Sequence, residues 1–175
     1  MKYEIAIVSL PAKEYLAIKG YMSFDKITMH DEWARRFGFP NESLTEQLKQ
    51  KSGATKVYRL FCNSCVKDDQ FGWVCGSDIA CENINNAPPG DGLEIIRLGA
   101  SEYIKTGYSY PSSMTSEQAF KELDDYFWNE WLKNNPYKSK IEGEFANMPG
   151  TACIELFDDA NRVVTIWQPI CRDAS

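Results

Sequence analysis

Glu14-Tyr15-Leu16-Ala17-Ile18-Lys19-Gly20-Tyr21-Met22-Ser23-Phe24 returns 88 positions later as Glu102-Tyr103-Ile104-Lys105-Thr106-Gly107-Tyr108-Ser109-Tyr110, one residue shorter up to the shared Gly-Tyr. An apolar run ending in Gly-Tyr, met twice, predicts a duplicated unit. Half-domains that cannot close a core alone bury it against each other, and the seam between them is the expected place for a ligand. The repeat continues downstream, where Tyr58-Arg59-Leu60-Phe61 aligns with Ile154-Glu155-Leu156-Phe157. A pseudo-twofold would place Arg59 and Glu155 equivalently.

Working outward, each half reads as strand, strand, helix, strand, strand. Residues 3–9 and 14–20 are rich in Ile, Val and Tyr and are broken by Pro11, which predicts two strands joined by a short turn. Helical spacing follows over 27–37, where Trp33 and Phe37 are four apart, and again over 42–50, where Leu44 and Leu48 repeat it before Gly53. Residues 56–62 and 71–79 complete the half as strands. The segment 82–92 holds Asn83, Asn85, Asn86, Pro88, Pro89, Gly90 and Gly92, which predicts a linker. Residues 93–98 and 102–106 then mirror the first strand pair. Thr115 with Gln118 three residues on forms a capping box, and Phe120, Leu123, Phe127 and Trp131 make the core stripe of the helix it opens. Asn134-Asn135-Pro136 ends that helix. Strands over 151–157 and 162–169 close the half around Asp158-Asp159. The fold class is therefore α+β: one domain spanning 1–175, with halves of about 1–81 and 91–171, whose antiparallel sheet is backed by helices and carries a central groove at the pseudo-twofold seam.

Composition narrows the function. At 175 residues, 25% charged and 43% hydrophobic, the chain is of ordinary domain size and has no long polar tract. A net charge of −6 repels phosphate backbones and attracts cations, so nucleic acid is not an expected partner. The N-terminal residues lack a signal pattern, and no apolar run has the length of a membrane span, which predicts a cytoplasmic protein with no membrane partner. Six cysteines in such a compartment are expected as thiols. Cys62-x-x-Cys65 with Cys75 and Cys81 invites zinc, but the second pair is too widely spaced for the usual compact ligand set, and no metal or cofactor is expected. His30 is the single histidine and stands in a predicted helix with no nucleophile elbow nearby.

Glu155 is the residue that carries most chemistry. With helices on one sheet face, alternation sends Ile154 and Leu156 towards them and Cys153, Glu155 and Phe157 to the other face. A carboxylate among apolar neighbours serves as counter-ion to an organic cation, or as an acid-base group raised by desolvation. The alternative is a structural pair with Arg59. Aromatic residues make up 13% of the chain, and Tyr21, Phe71, Trp73, Tyr103, Tyr108 and Trp167 fall on strands or strand ends. Rings around an acid form a cage for lipophilic aromatic or cationic ligands.

Three stretches resemble the GyrI-like, or bacterial effector-binding, superfamily: Pro11-Ala12-x-x-Tyr15-Leu16-Ala17-Ile18, Phe71-x-Trp73-x-x-Gly76, and Glu155-Leu156-Phe157 followed by Ile166-Trp167-Gln168-Pro169-Ile170. The resemblance spans essentially the whole chain. It implies the ligand-sensing fold of AraC-type and MerR-type transcription regulators, here as a stand-alone multidrug-like binding protein for small lipophilic or cationic compounds. Its groove glutamate maps onto Glu155, with Trp73, Trp167, Tyr108, Tyr21 and Phe71 as ring partners. Some members are similar to hydrolases that open reactive cyclopropane-bearing natural products; on that alternative Glu155 activates water and Tyr103 or Tyr108 is the hydroxyl partner. A third reading is a gyrase-inhibitor-like protein with gyrase or a separate regulator as partner. Phe157 stands where the family carries Tyr, taking one hydroxyl out of the groove and favouring binding over hydrolysis.

Overall fold

Period-two runs become strands throughout, and their order shows how they enclose space. The structure, a computed structural model, describes residues 2–23, 46–50, 53–61, 70–77, 93–140 and 150–172, with the backbone alone over 19–23 and 70–75. The strands are β1 (Glu4–Leu10), β2 (Lys13–Ser23), β3 (Val57–Phe61), β4 (Gln70–Ser77), β5 (Leu93–Leu98), β6 (Ser101–Ser109), β7 (Tyr137–Ser139), β8 (Cys153–Asp158) and β9 (Val163–Arg172). They form one nine-stranded sheet in the order β1-β6-β9-β8-β3-β4-β2-β5, with β7 also pairing β9. Every pairing is antiparallel.

The two strands expected to open each half do not pair with each other. β1 lies on β6, and β5 lies on β2. Leu10 at the end of β1 and Lys13 at the start of β2 thus belong near opposite edges of the sheet, although only Pro11 and Ala12 separate them. Three residue steps span at most about 11 Å. The sheet must therefore curl until its two edges nearly meet. A single buried cluster confirms it, because Val8 and Leu10 of β1 pack with Ile96 and Leu98 of β5, together with Tyr15, Ala17, Leu60, Tyr103 and Ile154. That cluster lines the inner face.

Helical segments cover the outer face. The helix α1 (Ser116–Tyr126) begins at Thr115, whose hydroxyl accepts from the Gln118 amide while the Gln118 side chain accepts from the Thr115 amide. Two orphan donors of the first turn are thereby satisfied. The helix continues through a π-helical turn (Phe127–Trp131) and a 3₁₀ turn (Leu132–Asn134). Ala119 and Leu123 pack on Cys153, Val164 and Ile166, and Phe127 and Trp131 on Ile104 and Ile170. In the first half, Leu48 from the helical residues 46–50 packs on Leu16 and Ile18. Among the described residues no helix is long and apolar enough to cross a membrane.

Strand β7 falls between the end of the predicted helix and the strand expected over 151–157, where no element was expected. Its three residues pair with β9 from Tyr137 opposite Arg172 to Ser139 opposite Ile170. The expected helix over 27–37, the linker over 82–92, His30, Cys62, Cys65 and Cys81 lie outside the described residues.

Candidate functional site

Curling brings the two connectors, Pro11-Ala12 and Gly99-Ala100, to one mouth of the inner face. Beneath them is a cavity of about 210 Å³. Its walls come in pairs drawn from the sequence repeat: Leu10 with Leu98, Pro11 with Gly99, and Tyr15 with Tyr103, each 88 positions apart. The central strands add Tyr58 and Ile154, the aligned residues of β3 and β8. Trp167 and Lys13 also line it.

One pair is broken. In β3, Tyr58 faces Gly76 of β4, whereas in β8 the matching Ile154 faces Trp167 of β9. A Cβ on Gly76 would stand 2.8 Å from Leu60 Cδ1 and 3.1 Å from Tyr15 Cβ. Glycine there lets Tyr15 lie against the sheet, and Tyr15 meets Tyr58 edge to face at 5.8 Å. Beside Ile154, Trp167 lines the cavity. The Lys13 Nζ sits over both tyrosine rings, 5.1 Å from the Tyr15 centroid and 5.7 Å from that of Tyr58. Lys105 Nζ lies 5.9 Å from the Trp167 centroid.

Tyr103 is 1% exposed. Burial pushes its phenol up to about 12, with the Cys153 thiol adding to the rise and a backbone hydrogen bond from Ala152 opposing it. A phenol raised in the folded state stabilises below the ordinary value of 10, and that contribution disappears as the pH climbs from 10 to about 12. An alkaline titration of tyrosinate absorbance should therefore lose one late-ionising phenol in Tyr103→Phe, while the phenols of Tyr110 and Tyr126, which burial also raises, remain. A titration unchanged by that substitution would place the late phenol elsewhere.

Glu155 does not share this cavity. Ile154, not Glu155, points to the inner face, while Cys153 packs with Ala119 and Leu123 under α1. The expected assignment of faces is thus reversed. Alternation settles which residues share a face but not which face the helices cover, and here both faces are apolar because the curled sheet encloses one of them. On the outer face Glu155 Oε2 accepts from Arg59 Nη2 at 2.5 Å, and the two residues stand directly opposite each other in the β3–β8 pairing. Each side chain is 12% exposed. The guanidinium lies between two rings, its Cζ 4.0 Å from the centroid of Phe157 and 5.0 Å from that of Phe120. Burial pushes the Glu155 carboxyl above its ordinary value, and the charge and hydrogen bond of Arg59 pull it back down.

Of the residues expected at the site, Tyr103 and Trp167 line the cavity. Tyr108 is on the outer face, packed edge-on against Tyr3 at 5.3 Å, with Lys2 Nζ 5.1 Å above its ring. Glu155 and Tyr103, the acid and hydroxyl of the hydrolase alternative, lie on opposite faces of the sheet. The backbones of Tyr21, Phe71 and Trp73 lie in β2 and β4, with Tyr21 opposite Gly72, Met22 opposite Phe71 and Gly20 opposite Trp73; their side chains are outside the described residues. Sequence reasoning missed Lys13, Tyr15 and Tyr58. The signal for Tyr15 was present, since it is the repeat partner of the named Tyr103.

No family model and no curated protein sequence matches the chain. Solved structures do. An integron cassette protein from Vibrio cholerae is 16% identical, with a TM-score of 0.59 over 95% of each chain. SAV2435 bound to tetraphenylphosphonium is 15% identical, with a TM-score of 0.54 over 96% of this chain and 94% of that one. The EcmrR C-terminal domain is 11% identical, with a TM-score of 0.51 over 98% and 99%. The chain has the fold of these proteins.

Proposed function

We propose that this chain binds small lipophilic aromatic molecules in the cavity enclosed by its curled sheet, between two like halves related by a pseudo-twofold. The observation that carries the proposal is the aromatic lining of Tyr15, Tyr58, Tyr103 and Trp167 around about 210 Å³ of space. Buried apolar space edged by a few polar groups is the usual form of a small-molecule site. The halves are inferred from the strand order, in which β1-β6-β9-β8 read inward from one edge matches β5-β2-β4-β3 read from the other. The axis would pass through the Arg59–Glu155 pair, where equivalent positions face each other. Binding of tetraphenylphosphonium by SAV2435 supports the ligand class in the broad sense of a lipophilic aromatic compound.

The test is protein NMR with neutral indole and naphthalene derivatives. Saturable shifts of the Trp167 indole N–H are expected, and they should be lost in Ile154→Trp, which fills the cavity from β8. Shifts that persist unchanged in a folded Ile154→Trp protein would place the ligand elsewhere and sink the assignment.

A further inference from the structure

We propose that Tyr103 reads the ligand: its phenol donates a hydrogen bond into the cavity, so the site favours aromatic compounds that carry a carbonyl oxygen on the ring. The inference rests on the cavity being a ligand site and names a group the ligand presents there, which the preceding proposal leaves open.

The phenol is held as a donor. Tyr103 lines the cavity from β6 and packs in one buried cluster with Ala152 and Ile154. Its oxygen accepts a hydrogen bond from the backbone amide of Ala152, the residue just before β8. An amide N–H can only donate, so this bond fixes the oxygen and leaves the phenol's own proton for another acceptor. No carbonyl or carboxylate among the described residues takes that proton. Tyr103 is 1% exposed, and the cavity is the space that it borders. With its ionisation pushed up to about 12, the phenol keeps its proton throughout the neutral range.

A single fixed donor adds direction to an otherwise apolar wall. The rings of Tyr15, Tyr58 and Trp167 favour flat apolar groups whatever polar atoms those groups carry. A ligand that covers Tyr103 without offering an acceptor strands a buried donor, whereas one with a carbonyl oxygen in reach satisfies it. The net worth of one such neutral bond corresponds to roughly tenfold in affinity. That is enough to rank ligands of the same shape.

Acetylnaphthalene and isopropenylnaphthalene test the inference on the full chain, because the second replaces the carbonyl oxygen with a methylene group of nearly the same shape. The ratio of their affinities compares the two ligands within one protein, so a general loosening of the site cancels. That ratio is expected to fall roughly tenfold in favour of the hydrocarbon on going from the unaltered protein to Tyr103→Phe, a change equivalent to about 1.4 kcal/mol. Circular dichroism should confirm that the variant is folded. A ratio unchanged in folded Tyr103→Phe would overturn Tyr103 as the donor. Isotope-edited infrared spectra of the ketone bound to the unaltered protein give a second reading that needs no variant. The carbonyl stretch is expected at the lower frequency of a hydrogen-bonded ketone; a stretch matching the ketone in an alkane solvent would overturn the inference, and binding of the hydrocarbon would still leave the cavity as a ligand site. If neither compound binds, the ligand-site reading fails and this inference fails with it.

Discussion

Arg59→Ala is expected to cost roughly 3–5 kcal/mol of folding stability, because removing one partner of a buried ion pair leaves the other uncompensated. The pair sits at the centre of the sheet, where β3 meets β8, beneath Phe120 of α1 and beside Phe157. Truncation deletes the hydrogen bond to Glu155 and empties the slot between the two rings. The cost should depend on pH. A carboxyl whose folded value is raised binds its proton more readily in the folded than in the unfolded state, so stability is retained at low pH and lost as the pH rises from the ordinary value of 4.5 through the raised one. Without Arg59 to pull it down, the rise in Glu155 grows. Urea unfolding of Arg59→Ala should therefore show a smaller deficit in mildly acidic buffer than at neutral pH. The double variant Arg59→Met, Glu155→Leu should recover most of the loss, since apolar groups of similar size can replace a buried pair. A single-variant cost below about 1 kcal/mol, the range of exposed pairs, would mean that solvent screens this one.

Phe127→Ala has an expected cost of similar size, about 3–5 kcal/mol. Phe127 is 1% exposed and stands where α1 passes into the π-helical turn. Its ring stacks on Trp131 at 5.9 Å and meets Trp128 edge-on at 4.8 Å. Trp131 in turn stacks on Tyr137 at 5.6 Å. This ladder joins the end of the helix to β7, whose pairing with β9 is only three residues long. The loss should accordingly be partly local. Hydrogen exchange in β7 should accelerate more than exchange in β8, whereas equal acceleration in both would show that the ladder does not hold the short strand.

Both cases show what could be read before the fold was known. The capping box at Thr115 and the stripe of Phe120, Leu123, Phe127 and Trp131 were legible because helix starts and helical periodicity are local properties. The π-helical turn was not, since one extra residue per turn leaves the stripe nearly unchanged. Nor was the Arg59–Glu155 bond settled, although their alignment in the repeat was visible. Whether aligned residues touch depends on which strands meet at the seam.

The same division holds for the site. The chain alone determined the strands other than β7, the helix opened by Thr115 and the repeat that supplies Tyr15 and Tyr103, because these follow from the period of apolar residues and from likeness between segments. Tertiary structure decided the rest. The pairing of β1 with β6 and of β5 with β2 curls the sheet, with Ile154 inward, Glu155 outward and Lys13 over the tyrosine rings. A strand pattern is unchanged when a sheet is bent the other way or covered on its opposite face. Which residues share the cavity therefore became visible only once the two edges had met.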